Sequence, residues 1–200
     1  MREKIIHFPV ERIELEGLLH AADGDKGVVI SHPHPLFGGD MRNVVVEAVS
    51  RAYRQAGYTT LRFNFRGVGG SGGDYGGGVG ERADVEAALQ YLWDKGKTAL
   101  DLAGYSFGAW VNGHSRWAGA LRRMIMISPP VGFPEFREIP ALPALRLVVT
   151  GGSDPLAPAV LLETLVPQWN PAARLEVIEG GDHFYGGALD RLQTKLAVCL

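Results

Sequence analysis

Apolar residues along this chain recur in two alternating rhythms. Short continuous runs such as Gly27–Ser31 (GVVIS), Thr59–Phe65 (TTLRFNF), Thr98–Ala103, Leu121–Ile127 (LRRMIMI), Leu145–Thr150 (LRLVVT) and Arg174–Ile178 have the length of buried strands. Between them lie stretches with helical spacing. Met41–Ala56 places Val44, Val45, Ala48, Val49 and Ala52 on one side, and Gly57 stops it. Gly80–Lys95 turns Val85, Ala88, Leu89 and Leu92 inward, and helices are expected over Phe107–Ala118, near Pro158–Gln168 and over Gly186–Leu200. The first twenty residues differ, because IIHFPV and RIELEGLLHA suit an antiparallel hairpin or meander at a sheet edge. Repeated strand–helix alternation predicts an α/β fold, a mostly parallel sheet with helices on both faces. In such sheets ligands bind outside the carboxyl ends of the strands, so chemistry should gather in the loops that follow them.

Length and charge narrow the picture. Two hundred residues suit one domain over positions 1–200, and 46% hydrophobic with 21% charged residues is ordinary for a globular protein. The formal net charge is -2, and Lys and Arg are scattered along the chain, which predicts no nucleic-acid partner and no anionic membrane surface. The N-terminus MREKIIHFPVERIELEG carries charges through its first turns, unlike a signal peptide, and no apolar run is long enough to cross a bilayer. A lone cysteine, Cys199, has no internal disulfide partner, which fits a reducing, cytoplasmic setting.

The loops after strands hold the chemistry. In Gly104-Tyr105-Ser106-Phe107-Gly108 one serine stands between two glycines, after a strand and before a helix. So tight a turn requires neighbours without bulk, and it holds the hydroxyl out above the sheet. The bland alternative is that Ser106 only caps the helix. A serine hydroxyl is a weak nucleophile and needs a base oriented by a third group. His183, in GGDHFYGG, follows the last strand; Asp154, in TGGSDPLAP, follows LRLVVT. Asp182 adjoins His183, but adjacent side chains diverge, so it reads as a supporting loop residue. Asp74 and Asp190 are weaker acids for the role. His7, His20 and His114 read as surface or packing residues.

A tetrahedral oxyanion also needs fixed amide donors. One is the N–H of Phe107, immediately after the serine. The other belongs to the loop His32-Pro33-His34-Pro35-Leu36-Phe37-Gly38-Gly39, where the prolines have no N–H and the nearest amides are those of His34 and Leu36. His34 is preferred, since two flanking prolines hold its amide rigidly. The His32/His34 spacing is a weak metal signal without a third ligand, and no metal or cofactor is expected. Gly67-Val68-Gly69-Gly70-Ser71-Gly72 matches a dinucleotide-binding pattern, but more glycines follow through Gly80 before a helix can start, so NAD is not expected either.

The order Ser106, Asp154, His183, with HPHPLFGG, NFRGVGGSGG, LAGYSFGA and a late GDHF, resembles the α/β-hydrolase superfamily, and within it the small bacterial serine hydrolases that lack a lid. The resemblance covers nearly the whole chain. It implies an eight-stranded, mostly parallel sheet and hydrolysis of carboxylic esters or thioesters. By position Ser106 resembles the nucleophile, Asp154 the acid, His183 the base, and His34 and Phe107 the oxyanion donors. Related loops often read His-Gly-x where this one reads His-Pro-His, and often carry Asp where this chain has Asn64. Between the sixth and seventh strands lie only sixteen residues, Ser128–Pro143, five of them proline, too few for a helical cap domain. The site is therefore expected to be open, with Pro129, Pro130, Val131, Phe133 and Phe136 as apolar wall and small acyl esters or thioesters as substrates. A non-catalytic protein of the same fold is the reading from another class.

Overall fold

The computed structural model describes residues 3–200. An antiparallel pair, β1 (Lys4–Val10) and β2 (Ile13–His20), is followed by alternating strands and helices: β3 (Lys26–Ser31), α1 (Val44–Gln55), β4 (Thr59–Phe63), α2 (Gly80–Asp94), β5 (Ala99–Tyr105), α3 (Phe107–His114), β6 (Leu121–Ile127), β7 (Leu145–Gly151), α4 (Ala159–Trp169), β8 (Arg174–Ile178) and α5 (Leu189–Ala197). They form one eight-stranded sheet in the order β1-β2-β4-β3-β5-β6-β7-β8. β1 pairs antiparallel with β2 and β2 with β4, while every pair from β4 to β8 is parallel. The edge hairpin and parallel remainder are those that the sequence predicts, and no cap domain interrupts the described residues.

Alternation along each strand divides the core in two. Val29, Leu100, Leu102 and Val148 face one side, where Val85, Leu89 and Leu92 of α2, Val111 of α3 and Leu162 of α4 cover them. Val28, Ile30, Ala103, Leu147 and Val149 face the other, under Val45, Val49 and Tyr53 of α1 and Leu192 and Leu196 of α5. Both faces are buried, which explains why these strands read as continuous apolar runs.

Three helices are shorter than their periodicity suggests, each for a local reason. Before α1, Met41 is buried but lies outside the helix, its N–H donating to Asn64 Oδ1 at 2.9 Å. Asn43 then caps α1, its side chain accepting from the Val45 amide at 2.9 Å. α3 ends at His114 rather than Ala118, as Ser115 turns to extended backbone and its Oγ donates to the Asn112 carbonyl at 3.2 Å. α5 begins at Leu189 rather than Gly186, because Tyr185 and Gly187 both adopt positive φ. Strand β4 stops at Phe63, two residues early; Asn64 still donates its backbone amide to the Glu16 carbonyl at 2.8 Å while its side chain donates to the Glu16 carboxylate at 2.8 Å.

Candidate active site

Ser106 sits at the carboxyl end of β5, with φ 54° and ψ −122°. For a residue with a Cβ this left-handed conformation costs about 1–3 kcal/mol. Its neighbours show what the turn demands. A Cβ on Gly104 would come within 2.5 Å of Asn112 Nδ2, and one on Gly108 within 2.5 Å of the His32 carbonyl oxygen. The two glycines admit α3 against β5 and against the end of β3, and that close approach lifts the serine above the sheet.

The structure brings Ser106, Asp154 and His183 together. His183 Nδ1 lies 3.0 and 2.9 Å from the two carboxylate oxygens of Asp154, and its Nε2 lies 3.0 Å from Ser106 Oγ. An ionised carboxylate only accepts, so Nδ1 carries the proton and Nε2 offers its lone pair to the serine hydroxyl. Asp154 Oδ1 also accepts the amides of Leu156 and Ala157, each at 2.9 Å. Burial pushes the Asp154 carboxyl up, but the hydrogen bond and charge of His183, with the Ser128 hydroxyl and the Ala157 amide, outweigh it and hold it below its ordinary value. All three side chains are largely buried, Ser106 at 8% exposure, Asp154 at 4% and His183 at 5%.

His34 and Phe107 line the same cavity as Ser106 and His183, a pocket of about 440 Å³. Among the described residues neither of their amides donates to a protein acceptor. Leu36 differs: its N–H donates to His34 Nδ1 at 3.2 Å, and the residue lies off the cavity. His34 is fixed from the other side too, Nε2 lying 3.2 Å from the Tyr75 hydroxyl. Because Nδ1 accepts from Leu36, Nε2 carries the proton and donates to Tyr75.

The pocket is apolar and aromatic. Pro130, Phe133, Phe136, Phe37 and Phe184 form its wall. Pro129 and Val131 are not part of it, contrary to the sequence expectation. Val131 is fully buried in the core, since the chain dives inward there before Phe133 returns to the surface. Asp182 has a local role, accepting the Gly186 amide at 3.0 Å. His114 packs on Trp110 and contacts the Trp110 and Glu138 carbonyls at 2.9 and 2.7 Å.

Several supporting residues escape a reading of the sequence. His32 is buried, donating from Nδ1 to the Pro33 carbonyl at 2.6 Å and accepting at Nε2 from the Phe65 amide at 3.0 Å. Nε2 ties the loop after β3 to the loop after β4, while Nδ1 braces the first loop on its own backbone. Burial holds its pKa down to about 4, so the ring is neutral. Among the described residues no cluster of three or more His, Cys, Asp or Glu could hold a metal ion. Ser128, at the end of β6 with φ 44°, is fully buried and lies 2.8 Å from the Tyr185 hydroxyl. Its place, first after a strand, matches that of Ser106 and of His32, and position alone could have flagged it. Tyr185 has no such signal, being an ordinary tyrosine in a glycine-rich loop. Glu81, buried at the start of α2, accepts the amides of Gly76 and Gly78, each at 2.7 Å, and so braces the glycine-rich segment.

No family model matches the chain. A curated relative, an uncharacterized protein of Rickettsia prowazekii, is 35% identical over 172 residues, covering 78% of this chain and 71% of its own length. Among solved structures, an alpha-beta serine hydrolase homologue from Coxiella burnetii superposes with a TM-score of 0.91 at 31% identity, covering 100% of this chain and 98% of its own. A serine hydrolase without a lid from Xanthomonas campestris gives 0.83 at 30% identity, covering 98% and 92%. With that sheet order, a serine at the elbow after β5 and full-length similarity at this level, the chain belongs to the α/β-hydrolase superfamily.

Proposed function

We propose that this protein is a serine hydrolase that cleaves small carboxylic esters through an acyl-enzyme intermediate. One observation carries the reading: His183 stands between Ser106 Oγ at 3.0 Å and Asp154 at 2.9 Å, with each ring nitrogen facing its partner. His183 takes the Ser106 proton as Oγ attacks the carbonyl carbon. The carbonyl oxygen becomes an oxyanion facing the amides of Phe107 and His34, donors worth about 3–4 kcal/mol each where they are preorganised. Collapse breaks the bond to the alcohol, which leaves with the proton from His183. Water then enters, gives a proton to the same nitrogen and attacks the acyl-enzyme, releasing the acid and restoring Ser106. Asp154 holds the imidazole in the productive tautomer and stabilises its charged form without taking the proton.

The substrate reading follows from the cavity. About 440 Å³ with an aromatic wall and no cap domain favours compact acyl groups, since a long chain would leave methylenes in water at a loss of ~0.8 kcal/mol each. Thioesters suit the same machinery and belong in the same assay. No metal or redox cofactor enters the cycle, which balances with water alone. We place the protein in the cytoplasm, as a single domain over residues 1–200 acting on small molecules. Fluorophosphonate labelling, with ester and thioester panels run on wild type and Ser106→Ala, tests the reading. Label and turnover are expected in the wild type only. An unlabelled wild type would make it a binding protein of the hydrolase fold, and turnover rising steadily through long acyl chains would remove the short-chain preference.

A further inference from the structure

Four arginines from three separate stretches of the sequence meet at the end of the sheet opposite Ser106. Arg122 and Arg123 are the second and third residues of β6, Arg146 is the second of β7 and Arg174 the first of β8. These three strands are parallel neighbours, so their amino ends share one edge. There the four side chains line a depression of about 280 Å³ with Ala172 and Cys199, and among the described residues no acidic one lines it.

The guanidinium groups are unevenly compensated. Asp101, buried, serves two of them: Arg122 donates to its two oxygens from Nε at 2.9 Å and Nη2 at 3.0 Å, and Arg123 Nε lies at 3.4 Å. Arg122 also donates to the Tyr58 hydroxyl and Arg123 to the Cys199 carbonyl. Among the described residues Arg146 donates only to the backbone carbonyls of Pro143 and Leu145, at 2.7 and 3.0 Å. Among the described residues Arg174 makes no side-chain hydrogen bond, and neither it nor Arg146 has a carboxylate partner. Glu176, on β8, is taken by Lys195 at 2.8 Å. Burial and the like charge of Arg123 push the Arg122 pKa down, a sign that positive charge is crowded here. General basicity does not explain the cluster, because the chain as a whole carries a formal charge of -2.

We infer that this depression binds a phosphoryl-bearing small anion, with Arg146 and Arg174 as its main ligands and Arg122 and Arg123 as its floor. Excess positive charge favours a multiply charged anion, and the planar guanidinium forks of Arg146 and Arg174 match pairs of phosphoryl oxygens. The site is independent of the ester chemistry, on the opposite edge of the sheet. Isothermal titration calorimetry of the full chain with inorganic pyrophosphate is the test. Wild type should show one saturable site that weakens as NaCl is added. Arg146→Gln/Arg174→Gln, at exposed positions, should bind at least about tenfold more weakly, and Arg174→Lys should fall between, keeping the charge but losing the fork. No saturable binding by the wild type, or equal affinity in the double variant, would overturn the site. Citrate binding as tightly as pyrophosphate would overturn the phosphoryl assignment.

Discussion

The Tyr105 hydroxyl donates to the backbone carbonyl of His183 at 2.8 Å, with the two rings 5.4 Å apart. Tyr105 ends β5 immediately before Ser106, so one bond ties the elbow to the loop that carries its histidine. Tyr105 is buried, and burial holds its phenol protonated. Tyr105→Phe removes the donor while keeping the ring. Turnover should drop about fivefold, in line with one neutral hydrogen bond of ~1 kcal/mol. Steady-state kinetics on an ester checks it, and a rate equal to wild type would show that the loop is held by packing alone.

The role given to the His34 amide has a direct test. His34 has φ −57°, which a proline accommodates. His34→Pro therefore deletes the N–H with little change to the backbone, whereas His34→Ala deletes only the ring. The proline variant should lose ~10²–10³ in kcat relative to the alanine variant. Equal rates in the two would assign the second donor elsewhere.

Gly108→Ala should damage both fold and site. Its Cβ would meet the His32 carbonyl oxygen at 2.5 Å and the Ser31 carbonyl carbon at 2.7 Å, backbone atoms that cannot rotate aside. Overpacking of this kind costs roughly 1–3 kcal/mol, or a Tm lower by roughly 2–12 °C in a chain of this size. Differential scanning calorimetry reads it. A Tm within one degree of wild type would mean that α3 shifts freely against β3.

Acid stability should depend on His32. Burial lowers its folded-state pKa to about 4, against an ordinary 6.5. Between those values the unfolded chain takes up a proton that the folded chain refuses, so stability falls as pH drops from 6.5 towards 4 and is fully present above 6.5. The contribution reaches about 3 kcal/mol at the acid end. Urea unfolding across that window should show a shallower pH slope for His32→Asn than for wild type. Parallel slopes would place the acid sensitivity in other groups.

Much of the architecture is legible in the order of residues. Strands buried on both faces leave unbroken apolar runs, helices leave a 3.6-residue rhythm, and a serine flanked by glycines between the two marks a tight turn. Helix ends were less legible: Met41 and Ala118 continue an apolar pattern, but the side chains of Asn43 and Ser115 redirect the backbone and end the helices earlier. Val131 and Phe136 look alike as apolar loop residues, and only the path of the chain sends one into the core and the other to the pocket.

What the sequence determined by itself was local: which segments pair their own backbone, where the chain turns sharply, and which reactive groups follow strands. What the tertiary structure decided was convergence. His183 and Ser106 are 77 positions apart, and their 3.0 Å separation depends on strand order, which periodicity does not encode. The same holds for Ser128 beside Tyr185, and for four arginines from three stretches of the chain that meet only when the amino ends of β6, β7 and β8 align. Pattern in a sequence reports burial and local conformation, which act over a few residues, whereas a site is made by distances between strands that only the packed sheet sets.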